Sequence, residues 1–170
     1  MSIEVRALGP DDWKVRRDLR LTALQESPDA FGSTYEQARD RDEAGWRAWP
    51  SRGALYGAWL AGEPVGIVGI APGPDNDGVG ELFTMWVAPA ARGTGVADAL
   101  IRSALEWAAS SGLRGVRLEV APGNPRAERV YARYGFVRTR QRPTIEGGLV
   151  MRIRVVTSDA DGVPSPADSR

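Results

Sequence analysis

An α/β fold with a mixed, mostly antiparallel sheet is predicted by three observations. Residues 82–120 read as strand, glycine turn, helix and strand, a unit that places its two strands side by side and parallel. Residues 54–71 hold two apolar runs separated by Gly62-Glu63, the pattern of an antiparallel hairpin. Helical and strand-like stretches alternate along the chain, with no repeat and no run apolar enough to span a bilayer.

Taken in order, residues 3–8 alternate apolar and polar as a strand does. Pro10-Asp11-Asp12 caps a helix that runs to about Ser27. Pro28 to Thr34 is a loop, and a shorter helix is expected over 36–49, ended by Pro50 to Gly53. Strands follow at 54–61, 64–71 and 79–88, the last preceded by the turn residues Asp75-Asn76-Asp77. After Gly95 the apolar residues Ala97, Leu100, Ile101, Ala104, Leu105 and Ala108 recur on one helical face, and Gly112 ends that helix. Residues 116–120 form a fifth strand. Asn124 caps a final helix with Pro125 at its first position, Ala127, Val130, Tyr131 and Tyr134 on its inner face and Gly135 as its stop. Two closing strands are expected at 136–142 and 148–156. Residues 1–156 are therefore read as one domain, and the Ser/Asp/Pro-rich residues 157–170 as a disordered tail.

Composition narrows the chemistry. The chain has 22 basic and 22 acidic residues, so no global field favours nucleic acid. It has no Cys and no His, which excludes a disulfide, a thiol nucleophile, a Cys/His zinc site and a histidine-based triad within it. No acidic cluster has metal-loop spacing, and no metal is expected. With no signal-peptide pattern and no membrane span, the expected location is the cytoplasm.

The most informative segment is Arg92-Gly93-Thr94-Gly95-Val96-Ala97, between a strand end and a helix start. First-turn amides have no internal partners and the helix dipole is positive there, so the turn is suited to an anion such as a phosphate. The spacing is not G-x-G-x-x-G and no Walker lysine is present.

That turn, the order of elements, and the downstream Asn124, Tyr131 and Gly135-Phe136 together resemble the GNAT superfamily of acyl-CoA-dependent N-acetyltransferases. The resemblance covers roughly residues 3–156. It implies a seven-stranded sheet with about four helices and a central parallel pair splayed around the coenzyme. It implies acetyl-CoA as acyl donor, with its pyrophosphate cradled by Arg92, Gly93, Thr94, Gly95, Val96, Ala97 and Asp98. Its pantetheine arm would lie along Met85, Trp86 and Val87 and meet Asn124, whose capping role explains that residue equally well.

The same resemblance gives Tyr131 the role of acid toward the departing thiolate, although its place on an apolar helix face also suits a packed core tyrosine. Glu81 and Glu119 are candidate general bases, Glu81 slightly ahead. Phe31, Tyr35, Trp46 and Trp86, with Trp49, are candidates for an aromatic acceptor pocket, although aromatics at such positions are more often core. The implied reaction is direct attack of a primary amine on the thioester. The expected acceptor is a small molecule, such as a metabolite or an amine antibiotic. The alternatives are a protein or peptide N-acetyltransferase, or a non-catalytic acyl-CoA-binding or sensing module. A homodimer is compatible with exposed edge strands.

Overall fold

The structure, a computed structural model, describes residues 2–156. The tail expected over 157–170 lies outside the described residues. The chain runs β1 (Ile3–Ala7), α1 (Trp13–Glu26), α2 (Tyr35–Arg39), α3 (Glu43–Ala48), β2 (Ala54–Leu60), β3 (Glu63–Pro72), β4 (Val79–Val87), α4 (Val96–Ser110), β5 (Gly115–Val120), α5 (Pro125–Tyr134), β6 (Val137–Arg138) and β7 (Leu149–Arg154). All seven strands form one sheet in the order β1-β2-β3-β4-β5-β7-β6. Every neighbouring pair is antiparallel except β4 and β5.

The sheet is covered on both faces. On one face, α4 seats Val96, Leu100, Ile101, Ala104 and Ala108 against β2 to β5, and Tyr131 of α5 joins the same apolar cluster. Gly66 lets α4 approach β3, because a Cβ there would sit 2.9 Å from Leu100 Cδ1. On the other face, Leu19 and Ala23 of α1 pack on Leu55, Ile67 and Trp86. A smaller cluster of Leu24, Ala38 and Trp46 ties α1 to α2 and α3.

Three expected elements differ. The single helix over 36–49 is two, because Asp42 accepts from the Gly45 amide at 2.8 Å and starts a new helix after Arg39. The hairpin turns at Ala61-Gly62, both at positive φ (51° and 82°), one residue earlier than Gly62-Glu63. The strand over 136–142 shrinks to Val137–Arg138. Thr139 sends its amide and hydroxyl to Val150 O and accepts from the Gln141 amide, a local turn that ends the strand.

The feature that matters for function is where β4 and β5 stop pairing. They are in register only at Val79–Gly115, Gly80–Val116 and Glu81–Arg117, after which they diverge. Arg117, buried between the strands, clasps that paired end by ion pairs to Glu81 at 3.1 Å and Asp75 at 3.2 Å. Beyond the clasp the parted strands leave a gap in the middle of the sheet.

Candidate active site

Two connected cavities occupy the gap. The larger, about 1220 Å³, is walled by the end of β4, the 92–98 turn, residues 121–124, the inner face of α5 and the end of α1 with the segment after it. The smaller, about 90 Å³, lies between the diverging strands, with Leu82 to Met85 on one side and Leu118 to Ala121 on the other. Phe31, Met85, Asn124 and Tyr131 line both.

The 92–98 turn has the properties of an anion cradle. Gly93 and Gly95 take φ of 80° and 94°, a region side-chain-bearing residues rarely enter. Nothing lies within 4 Å of where a Gly93 Cβ would be. The first amide of α4 with an intrahelical acceptor is that of Ala99, donating to Gly95 O at 3.1 Å. The amides of residues 93–98 make no well-formed hydrogen bond among the described residues. Arg126, Arg129 and Arg133, spaced along one exposed face of α5, line the same cleft and add positive charge. These residues fit a diphosphate.

Of the expected coenzyme contacts, Met85, Trp86, Val87, Arg92, Gly93, Gly95, Ala97, Asp98 and Asn124 line the large cleft. Thr94 and Val96 do not: the Thr94 hydroxyl donates to Ala91 O, and Val96 is wholly buried in the core. Asn124 caps α5, its Oδ1 accepting from the Ala127 amide at 3.2 Å. Arg92 turns away from the cradle, donating to Val87 O at 3.1 Å and to Glu26 at 3.0 Å. Glu26 also accepts from Ser27 and from Trp86 Nε1 at 2.9 Å. These bonds, with the Arg92 charge, hold the Glu26 carboxyl below its ordinary range. The backbone, rather than the Arg92 side chain, thus presents the free donors of the turn.

β4 carries a bulge at the cleft. Gly69 pairs with Phe83 and Ile67 with Trp86, so Thr84 and Met85 stand opposite Val68 alone. Thr84 adopts φ of 52°, a conformation costing about 1–3 kcal/mol for a side-chain-bearing residue. It is held there from below by buried Arg20 of α1, which donates to the Thr84 hydroxyl. No pattern in the sequence announces this bulge, nor the part played by Glu26.

Tyr131 is 8% exposed, edge-on to Phe136 with ring centres 5.7 Å apart. Burial pushes its phenol above the usual range, so it is protonated at neutral pH. Glu119 lines the small cavity, and its two carboxylate oxygens accept from the Thr144 amide and hydroxyl. Glu81 lines neither cavity and belongs to the Arg117 clasp. Among the aromatics, Phe31 and Trp86 reach the cleft, whereas Tyr35 and Trp46 line neither cavity and pack in the cluster that ties α1 to α2 and α3. Among the described residues, no group of three or more Asp and Glu side chains is placed to hold a metal, and no helix is long and apolar enough to cross a membrane.

Comparison with known proteins agrees with this architecture. Mycothiol acetyltransferase of Amycolatopsis mediterranei (strain U-32) is 33% identical over 144 residues, 81% of this chain and 46% of that protein. The Rhodococcus erythropolis enzyme of the same name is 27% identical over 136 residues, 76% of this chain and 44% of that protein. The chain thus spans about half the length of the curated relatives it matches. An acetyltransferase of the GNAT family from Streptococcus pneumoniae superposes with a TM-score of 0.73 at 22% identity, covering 91% of this chain and all of the other. The PaiA N-acetyltransferase of Thermoplasma acidophilum, solved in complex with coenzyme A, gives 0.72 at 16% identity over 91% of this chain and 99% of the other. At these identities the structures bear on fold alone, but the model of the acetyltransferase (GNAT) family matches residues 20–136 directly. The chain is a member of the acetyltransferase (GNAT) family.

Proposed function

We propose that this protein transfers an acetyl group from acetyl-CoA to a primary amine of a small molecule, by direct attack. The observation that carries the reading is the pair of cavities meeting at Tyr131, one with an anion cradle at its mouth and the other small. Acetyl-CoA would supply an acyl thioester, a carbonyl already activated toward an amine. The amides of residues 93–98 would hold its diphosphate, and the parted edge of β4 would align its pantetheine arm.

The remaining roles fall to this chain's own groups. Main-chain donors along Met85 to Val87 would stabilise negative charge as it grows on the carbonyl oxygen. The Tyr131 hydroxyl, kept protonated by its surroundings, would donate its proton to the leaving sulfur. Glu119 is the better placed of the two glutamates to take the amine proton, because it lines the small cavity while Glu81 is engaged by Arg117. Each Glu119 oxygen keeps a second lone pair beyond its bond to Thr144.

The volume of the small cavity favours a small acceptor over a folded polypeptide. The relatives' names point both ways, toward mycothiol in the curated matches and toward ribosomal-protein alanine in the Escherichia coli and Brucella melitensis structures. The test is release of free coenzyme A thiol with a panel of small amines and a panel of peptide N-termini. Acetylation of small amines is expected, with Glu119→Gln lowering kcat/KM by about a hundredfold or more while acetyl-CoA still binds. Turnover confined to peptides would overturn the acceptor class. Binding of acetyl-CoA without turnover of either panel would support the non-catalytic module instead.

A further inference from the structure

Three arginines lie beneath the helical layer that covers β4, and they are not equivalent. Arg16 is buried and its two terminal nitrogens are occupied, Nη1 meeting the carbonyls of Trp46, Arg47 and Trp49 and Nη2 donating to Leu8 O at 2.6 Å, while its Nε is buried without a partner. Arg20, one turn further along α1, is 9% exposed and makes one side-chain hydrogen bond, to the Thr84 hydroxyl. Arg41, between α2 and α3, makes no side-chain hydrogen bond among the described residues, and its Nη1 is buried without a partner. The indole N–H of Trp46, beside it, is also buried without an acceptor.

Neither Arg20 nor Arg41 is in an ion pair among the described residues. Burial first, then the Arg41 charge, brings the Arg20 guanidinium down to about 10, and burial alone lowers Arg41. Aromatic faces take the place of carboxylates. The Arg20 guanidinium carbon is 4.8 Å from the Phe31 ring centre and 5.9 Å from that of Trp49. That of Arg41 is 4.5 Å from Trp46 and 5.2 Å from Trp49. Ring faces stabilise a cation but leave the in-plane N–H donors unanswered. A cluster made only of donors, with two positive charges, calls for an anion with at least two oxygens.

We propose that Arg20 and Arg41 form a carboxylate-binding subsite on the acceptor side, and that the acceptor is an amine carrying a carboxylate. The proposal rests on the N-acetyltransferase reading above. Thr84 and Phe31, two of the residues that Arg20 touches, are themselves walls of the small cavity, and Glu119 is another. Neither guanidinium lines the cavity while the Phe31 ring covers Arg20; a carboxylate displacing that ring would meet the two guanidiniums, with the amine directed toward Glu119. The cavity would then read both ends of an amino-acid-like molecule and reject its neutral amide.

Succinate and its neutral twin succinamide are the probes. They are titrated calorimetrically at constant ionic strength into the full chain, alone and saturated with coenzyme A. Saturable binding of succinate with none of succinamide is expected. Arg41→Gln should weaken it by about tenfold or more without unfolding the protein, since Arg41 is partly exposed and holds no structural hydrogen bond. Arg20→Gln is the second variant, informative if it stays folded without its bond to Thr84. Equal response to succinate and succinamide, or undiminished succinate binding by Arg41→Gln, would overturn the subsite. Coenzyme A titrated into the same proteins separates the two readings. Its failure to bind wild type removes the transferase reading, whereas loss of succinate binding in Arg41→Gln with coenzyme A binding intact speaks for the subsite alone.

Discussion

Tyr131→Phe is expected to lower the rate of acetyl transfer by about two to four orders of magnitude while leaving coenzyme A affinity unchanged. The substitution keeps the ring, and with it the edge-on contact to the buried Phe136. Only the hydroxyl is lost, at one of the two residues, with Ala127, that α5 contributes to both cavities. Because burial raises the phenol above its usual range, the acid stays loaded through neutral and mildly alkaline pH. The wild-type pH–rate profile should therefore show no descending limb from Tyr131 below the ordinary phenol range of about 10. Steady-state kinetics of wild type and variant, with a coenzyme titration of each, check both points. An unchanged kcat would make Tyr131 a packing residue.

The second large effect is on stability. Leu100→Ala is expected to cost about 2–5 kcal/mol, measured by urea unfolding with an unchanged m-value. Leu100 is wholly buried where α4 meets β3, and Gly66 is a glycine there because no Cβ fits beside the leucine. The neighbouring sheet is close-packed and pinned by its own hydrogen bonds, so it has little freedom to fill the space. A loss under about 1 kcal/mol would mean that α4 is loosely seated and that its first turn is a poorer platform for a phosphate than the geometry implies.

How much was legible in the sequence depended on whether the signal was local. The α4 stripe and the α5 frame of Asn124, Pro125 and Gly135 are each written within a turn or two of the helix they define, and the structure contains both as expected. The parallel pair followed from the strand–helix–strand order. The break between α2 and α3 was missed because Asp42 can be read either as a helical residue or as a cap, and only its bond to Gly45 decides. The strand after Phe136 is shorter than expected because Thr139 sends both its donors to Val150 O and accepts from the Gln141 amide.

Within the site, backbone-defined features were the legible part. The left-handed backbone of the 92–98 turn follows from glycine spacing, whereas the side-chain features depend on pairings far apart in sequence. Trp46 and Tyr35 pack away from both cavities with Leu24 and Ala38, in a cluster that no local pattern announces. The Thr84 bulge depends on Arg20, and the orientation of Arg92 on Glu26. Arg126, Arg129 and Arg133 had a usable signal, three arginines at steps of three and four on the polar face of a helix whose other face was already identified.

The central claim is that the turn from Arg92 to Asp98 binds the diphosphate of acetyl-CoA through its backbone. Calorimetric titration of acetyl-CoA into wild type and into a Gly93→Val/Gly95→Val variant tests it most directly, with circular dichroism showing that both remain folded. Saturable binding by wild type, lost in the folded variant, is the predicted result, because valine at φ of 80° and 94° forces the amides out of their present directions. A folded wild type that does not bind acetyl-CoA, or a variant that binds it equally well, would contradict the account.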